Sequence, residues 1–314
     1  MGPTMHDRAD VIGVVGLGHM GAAFADRALA LGLDVQVHDV RPEAVAALVD
    51  RGAAAAESVG AMADRVGTII VCVDSVTASL EIASAAAAGA RLRQYVETST
   101  VGPAAMARIV TSLPGVAVID APVSGGPRAI RSGTLSTYLA GDPDAIDALS
   151  PWLASIASTR LVVGERPGMA QIAKLVNNAI SLSSMVISCE AIAVGVAAGV
   201  PAEILLEAVN AGTGRNSATL SKIPASILTR RFDYGGPVGL AQKDLELYRE
   251  LAASVGVDEE STVASAQASI VATIGRLGPA ADYSEMMRVF EAATGVEVRA
   301  ASSPGGTALG GADR

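Results

Sequence analysis

The run Gly16, Leu17, Gly18, His19, Met20, Gly21 stands directly after the apolar stretch Val11 to Val15, and it is the first place where residue types and spacing point to chemistry. A strand that ends in such a turn and opens a helix aims backbone N–H groups at a diphosphate. Gly16 permits the turn, Gly18 lets the backbone approach phosphate, and Gly21 lets helix and strand pack closely. The helix dipole adds to the attraction. Alone, such glycines are an ordinary tight turn in a chain holding 33 of them; between strand and helix they read as a dinucleotide site. An acidic residue is then needed at the end of the second strand to accept the ribose hydroxyls, and Asp39 stands there. Its carboxylate repels a 2′-phosphate, which predicts NAD over NADP. Arg41, just past Val40, could stack on adenine or meet that phosphate, so NADP stays possible.

Two further clusters can do chemistry. Lys174 and Asn178, at i and i+4, share one helical face and can touch one substrate. Ser124, Gly125 and Gly126 follow a strand at the carboxyl edge of the sheet, where ligands of α/β proteins gather. Their N–H groups and the Ser124 hydroxyl can form an anion-binding concavity for a substrate carboxylate. His6, His19 and His38 are scattered without ligand spacing, so neither a metal site nor a histidine base is expected. Cys72 and Cys189 sit in apolar stretches without CxxC spacing and read as buried hydrophobes in a reducing compartment.

Positioning these residues requires an alternating scaffold. The patterns predict strands at Val11–Val15, Val35–His38, Thr68–Val73, Gln94–Thr98 and Val116–Asp120, separated by helices at Ala22–Leu31, Glu43–Arg51, Thr77–Ala88 and Ala104–Ser112. Wholly apolar strands suit a parallel sheet covered on both faces, which makes the fold α/β, an N-terminal Rossmann-type doubly wound sheet. Leu135–Ala140, a helix over Asp144–Ile156 and Thr159–Val163 extend it. From Gly164 to Gly168 the character changes to helical periodicity only. The expected helices are Met169–Gly199, a spine allowing close approach at Gly195 and Gly199, then Pro201–Asn210, Ala218–Leu228, Leu240–Val255, Ser261–Arg276 and Tyr283–Thr294. The domains expected are therefore 11–168, dinucleotide-binding; 169–299, all-α, for substrate and assembly; and 300–314, a glycine-rich disordered tail.

Charge narrows the partners. With 23 Lys and Arg against 32 Asp and Glu, the net charge of −9 offers no footprint for nucleic acid. No charged n-region precedes an apolar block, and no unbroken apolar run reaches the ~20 residues of a membrane span, so a cytoplasmic protein is expected. A long, nearly uncharged helix needs covering, which predicts a homo-oligomer, dimer or tetramer.

Four segments in order, GLGHMG at 16–21, Asp120 through Gly126, Lys174 with Asn178, and Lys243 with Asp244, resemble the β-hydroxyacid dehydrogenases over residues 11–298. That family includes 3-hydroxyisobutyrate dehydrogenase and tartronate semialdehyde reductase. The resemblance implies hydride transfer between NAD(P) and a small β-hydroxyacid or its semialdehyde. It makes Lys174 the general acid and base and Asn178 its orienting partner. It gives the Ser124–Gly126 segment to the substrate carboxylate, Thr100 to the nicotinamide side, Val73 and Asp74 to the adenine ribose and diphosphate, and Lys243 to cofactor and substrate. Asp74 departs from the proline common there, and its side chain is expected to turn outward. Asp244 is expected to cap or orient its helix. Burial and the charge of Lys243 would lower the pKa of Lys174 for proton transfer.

Two other readings are open: an imine reductase, against which Lys174 argues, and a non-catalytic dinucleotide-binding protein. Substrate specificity is expected from 212–217 and 234–242, with Arg215 a candidate partner for a second anionic group.

Overall fold

The computed structural model describes residues 11–125, 129–130, 132–257 and 261–300. Gly126, His6 and the expected tail from residue 301 lie outside the described residues. Strands β1 (Ile12–Val15), β2 (Val35–His38), β3 (Ala54–Ala55), β4 (Thr68–Val71), β5 (Gln94–Glu97) and β6 (Ala117–Asp120) alternate with helices α1 (His19–Ala30), α2 (Pro42–Val49), α3 (Val59–Ala63), α4 (Val76–Ala86) and α5 (Pro103–Ser112). These six strands pair in parallel in the order β3-β2-β1-β4-β5-β6. The order reverses between β1 and β4, the switch point at which α/β sheets open a ligand crevice. β1 and β4 are buried at every residue, as strands covered on both faces must be.

The sheet continues with β7 (Val123–Ser124), β8 (Leu135–Ala140) and β9 (Ala157–Gly164). β8 runs antiparallel to β6 and to β7, and β9 pairs with it in parallel. The single helix expected over Asp144–Ile156 is two, α6 (Pro143–Ala148) and α7 (Ser150–Ile156). The second begins anew because Pro151 has no N–H to continue the first. Trp152 and Phe24 meet edge to face at 5.5 Å within the apolar layer on one side of the sheet. β3 and α3 are too short to show periodicity; α3 is set by Ser58, whose hydroxyl accepts from Ala61 N.

By its internal contacts the chain forms two compact units, one of residues 1–178 with 244–258, the other of 179–243 with 259–314. Helix α8 (Met169–Ala197) contributes to both. An 18-residue window of α8 has a mean hydropathy of 1.8, long and apolar enough by composition to cross a membrane, although no uninterrupted apolar run reaches that length. Its Met185, Cys189, Ile192 and Ala193 are core residues of the second unit, packed with α9 (Ala202–Ala211), the segment Ala218–Ile227 and α12 (Met287–Thr294). α10 (Val238–Ser254) and α11 (Thr262–Leu277) complete the helices. Gly195 is closed over by Leu205, whose Cδ1 lies 2.6 Å from where a β-carbon would stand. Ala218–Ile227 is not an ordinary α-helix but a π-helix with Pro224 inside it. Proline lacks the N–H that an α-ladder needs, and Leu228 N donates to Ile223 O, one residue further back than an α-helical bond. The expected helix from Tyr283 likewise opens as a 3₁₀ turn, Tyr283–Met286.

Candidate active site

At the switch point Gly16 adopts φ +85°, and a β-carbon there would lie 2.3 Å from Cys72 O. One on Gly21 would lie 1.8 Å from Gly16 O, whereas one on Gly18 would meet nothing within 4 Å. The first and third glycines are thus required by packing, and the second leaves the approach to the backbone open. Gly18 precedes α1 with no side-chain cap and no acidic residue in the first turn, so the helix start retains N–H groups for an anion. Leu17 is buried, His19 exposed and Met20 half-buried. Val73 N donates to Ser99 Oγ at 2.9 Å, while Asp74 is exposed.

Asp39 closes the far side of this turn. Its Oδ2 accepts from Leu17 N at 2.6 Å and Arg41 Nη2 at 3.1 Å, and its Oδ1 from Arg41 N at 2.9 Å and Nε at 3.0 Å. Burial pushes this carboxyl up, but the Arg41 guanidinium and the two backbone N–H groups outweigh it and hold the group below the usual carboxylate range. Both oxygens are therefore engaged, and the Arg41 side chain must move before either ribose hydroxyl can reach them. Val40 is 92% exposed.

A second cluster fixes the other functional side chains. Asp120 ends β6 fully buried; its Oδ2 accepts from Gly168 N at 2.8 Å and Gln171 N at 3.1 Å, which caps the start of α8. Gln171 Nε2 donates to Asp120 Oδ1 at 2.8 Å and to Ser99 O at 3.1 Å. Its Oε1 accepts from Val101 N at 2.9 Å and Gly102 N at 3.0 Å. One amide thereby joins the ends of β5 and β6 to the first turn of α8 and brackets Thr100. Behind it, Glu97 Oε1 accepts from Ser99 N at 2.9 Å, and Ser79 Oγ makes a short hydrogen bond to Oε2. Burial pushes Glu97 up to about 7 and Asp120 up to about 6 against their hydrogen bonds. Nothing in the sequence pattern marks Glu97 or Gln171 as a site residue, and Asp120 stands out there only as the start of its motif.

Lys174 follows Gln171 on α8 and is 8% exposed. Asn178, one turn on, donates from Nδ2 to Asp244 Oδ2 at 2.6 Å and accepts from Asn177 Nδ2 at 3.1 Å. Asp244 therefore does not cap its own helix, the first half of its expected role, but links α10 to Asn178, which fits the second, orienting half. It lies inside α10, where backbone N–H groups already have helical partners, and its carboxylate serves Asn178 instead. Lys243, half-buried, precedes it. Ser124 is half-buried in β7, opposite Ser136 of β8, and Gly125 follows at φ +131°. Cys72 and Cys189 are free thiols. Arg215 is exposed, whereas Lys222, which no sequence pattern singles out, carries its charge into the interior of the helical unit.

Comparisons with known proteins bear on this arrangement. Residues 11–164 match the family described as the NAD binding domain of 6-phosphogluconate dehydrogenase. Residues 168–290 match the NAD-binding domain of NADP-dependent 3-hydroxyisobutyrate dehydrogenase. The chain is 30% identical over 296 residues to 2-(hydroxymethyl)glutarate dehydrogenase of Eubacterium barkeri, covering 91% of this chain and 97% of the relative. It is 32% identical over 259 residues to NAD-dependent L-serine dehydrogenase of Pseudomonas aeruginosa, covering 77% and 85%. The solved 3-hydroxyisobutyrate dehydrogenase of Mycobacterium tuberculosis shares the fold with a TM-score of 0.81 at 22% identity, over 90% of this chain and 99% of that one.

Proposed function

This chain belongs to the β-hydroxyacid dehydrogenase family and is an NAD(P)-dependent oxidoreductase, and on that premise we propose how its residues act and on what. The three compounds for which the relatives are named share one chemical core, HOCH2–CH(R)–COO−, with a methyl, an ammonium or a carboxyethyl group as R. We take that core as the substrate of this chain and the corresponding semialdehyde as its oxidised form.

The glycine turn fits a diphosphate, with an uncapped helix start and open space in front of Gly18. When bound, the nicotinamide accepts a hydride in oxidation and donates one in reduction. Asp39 favours NAD once Arg41 is displaced from it, and the displaced guanidinium would tolerate NADP. Lys174, as the amine, takes the proton of the substrate hydroxyl in oxidation and returns it to the carbonyl oxygen in reduction. Asn178 holds that oxygen, its own amide oriented by Asp244. Ser124, Gly125 and Gly126 receive the carboxylate, Thr100, Val73 and Asp74 line the cofactor, and Lys243 contributes charge beside both. The observation that carries this reading is the burial of Lys174 one turn beyond Gln171, whose amide is bonded to the ends of both neighbouring strands.

A row of exposed apolar residues on α8, Ile172, Val176, Ile180, Ile187 and Val194, supports assembly as a homo-oligomer. The free thiols support a reducing, cytoplasmic setting.

Replacing Lys174 by Met tests the assignment. We expect kcat for 3-hydroxyisobutyrate to fall by about 10³-fold or more, with NADH affinity by fluorescence titration within threefold of the unmodified protein. Retained kcat would remove Lys174 from the mechanism.

A further inference from the structure

Lys222 lies in the π-helical segment of the second unit and is 6% exposed. Its Nζ donates to Ser181 Oγ at 2.9 Å and to Ser217 Oγ at 3.1 Å. It stands 5.9 Å from the Tyr234 ring centroid and 5.7 Å from that of Tyr283, and the two rings meet edge to face at 5.3 Å. Among the described residues no carboxylate pairs with it. Burial pushes the ammonium down to about 8, and the thiol of Cys189 is the ionisable neighbour that opposes this.

A lysine so enclosed is ordinarily paired with an acid, because hydroxyls solvate an ammonium without neutralising it. Aromatic faces offset part of the cost and leave the net charge in place. The backbone around Lys222 is also of the kind found at functional sites, a π-helix widened at a proline. Ser181 sits on α8 in the row begun by Lys174 and Asn178, at helical steps of four and three, about 10 Å along the axis from Lys174. Ser217 and Tyr234 come from the two segments in which substrate specificity is expected.

We propose that Lys222 binds a second anionic group of the substrate, so that R in HOCH2–CH(R)–COO− ends in a carboxylate. This rests on the substrate core argued above and specifies its variable arm. A carboxylate fits better than a phosphate: one ammonium, two neutral hydroxyls and two phenol rings balance a single negative charge and leave a dianion uncompensated. Ser181 and Ser217, which now accept from the ammonium, can turn their hydroxyl protons toward the incoming oxygens.

The test compares kcat/KM for 2-(hydroxymethyl)glutarate, its 5-carboxamide and 3-hydroxyisobutyrate. The first two share shape and differ in the charge of the arm. We expect the unmodified protein to favour the dicarboxylate over the carboxamide by about 100-fold. Lys222→Met should bring that ratio to within threefold of one, and Lys222→Arg should keep part of it. Oxidation of 3-hydroxyisobutyrate with no preference between the other two would overturn this inference alone. So would a preference that Lys222→Met leaves unchanged. Failure to oxidise any of the three would overturn the substrate reading on which it rests. The comparison in the unmodified protein needs no variant, so a Lys222→Met chain that fails to fold does not spare the proposal.

Discussion

Glu97→Gln should make the protein relatively more stable as pH rises. Glu97 is wholly buried, its oxygens bonded to Ser79 and Ser99, and it is held at about 7 against an ordinary 4.5. A carboxyl raised in the folded state contributes stability that is fully present below its unfolded pKa and is lost as pH climbs through the folded one. The window is therefore pH 4.5 to about 7. That displacement corresponds to roughly 3 kcal/mol of unfolding free energy at 1.36 kcal/mol per pKa unit. Glutamine keeps the shape, accepts from Ser99 N through its oxygen and donates to Ser79 Oγ through its nitrogen, and never ionises. Urea unfolding of both proteins from pH 4 to 9 reads the effect, since the surface groups titrate alike in each and Asp120, whose charge helps to raise Glu97, adds its coupling to the same difference. The difference, variant minus unmodified, should grow by roughly 3 kcal/mol across the window and level off above it. A difference that stays flat would show that Glu97 is not raised, and one that falls with pH would show that its ionised form is stabilised by Ser79 and Ser99.

Two further perturbations address the cofactor turn and the clamp. Asp39→Ala releases Arg41 and removes the carboxylate that opposes a 2′-phosphate, so the NAD to NADP ratio of kcat/KM should drop by about 100-fold; an unchanged ratio would dissociate Asp39 from cofactor choice. Gln171→Leu leaves the N–H groups of Val101 and Gly102 and one oxygen of Asp120 without their partner. It should cost about 3 kcal/mol or more in urea unfolding, and a loss under 1 kcal/mol would mean that the amide is not what ties α8 to the strand ends.

The Rossmann half was legible because its central strands, Ile12–Val15 and Thr68–Val71, are almost wholly apolar and its first turn is marked by glycine, two signals that survive in a bare sequence. Where elements went unread, the cause is local. Ala54–Ala55 is too short for periodicity, Val59–Ala63 owes its start to a single serine, and Ala218–Ile227 has the spacing of an α-helix but contains a residue that cannot complete one. Among the candidate site residues, the shared helical face of Lys174 and Asn178 was legible from their spacing, and the roles proposed for them only from the family resemblance. Gln171, Asp120 and Glu97 were not. Each is an ordinary polar residue at the end of an apolar run, and its importance comes from partners brought close by the fold, as Ser99 and Gly102 are to Gln171. Lys222 was missed for the same reason, since its burial is made by Tyr234 and Tyr283 arriving from later in the chain, whereas the exposed Arg215 carried the same charge in a more conspicuous setting.

The correction at Asp244 alters what Asn178 can do. An amide can present either its oxygen or its nitrogen to a substrate, and nothing in the helical spacing chooses between them. A carboxylate can only accept, so Asp244 at 2.6 Å requires the nitrogen on its side; the oxygen then faces Asn177, which donates to it at 3.1 Å. The flip of Asn178 is thus set by the carboxylate. What is left to offer is one N–H, a donor suited to the oxygen of an alcohol or its carbonyl product, and one remaining lone pair. A group that donates to that oxygen in both oxidation states can hold it in place while a lysine takes or returns its proton. That is the task we propose for Asn178, and Asp244 enters it by fixing which end of the amide faces the substrate.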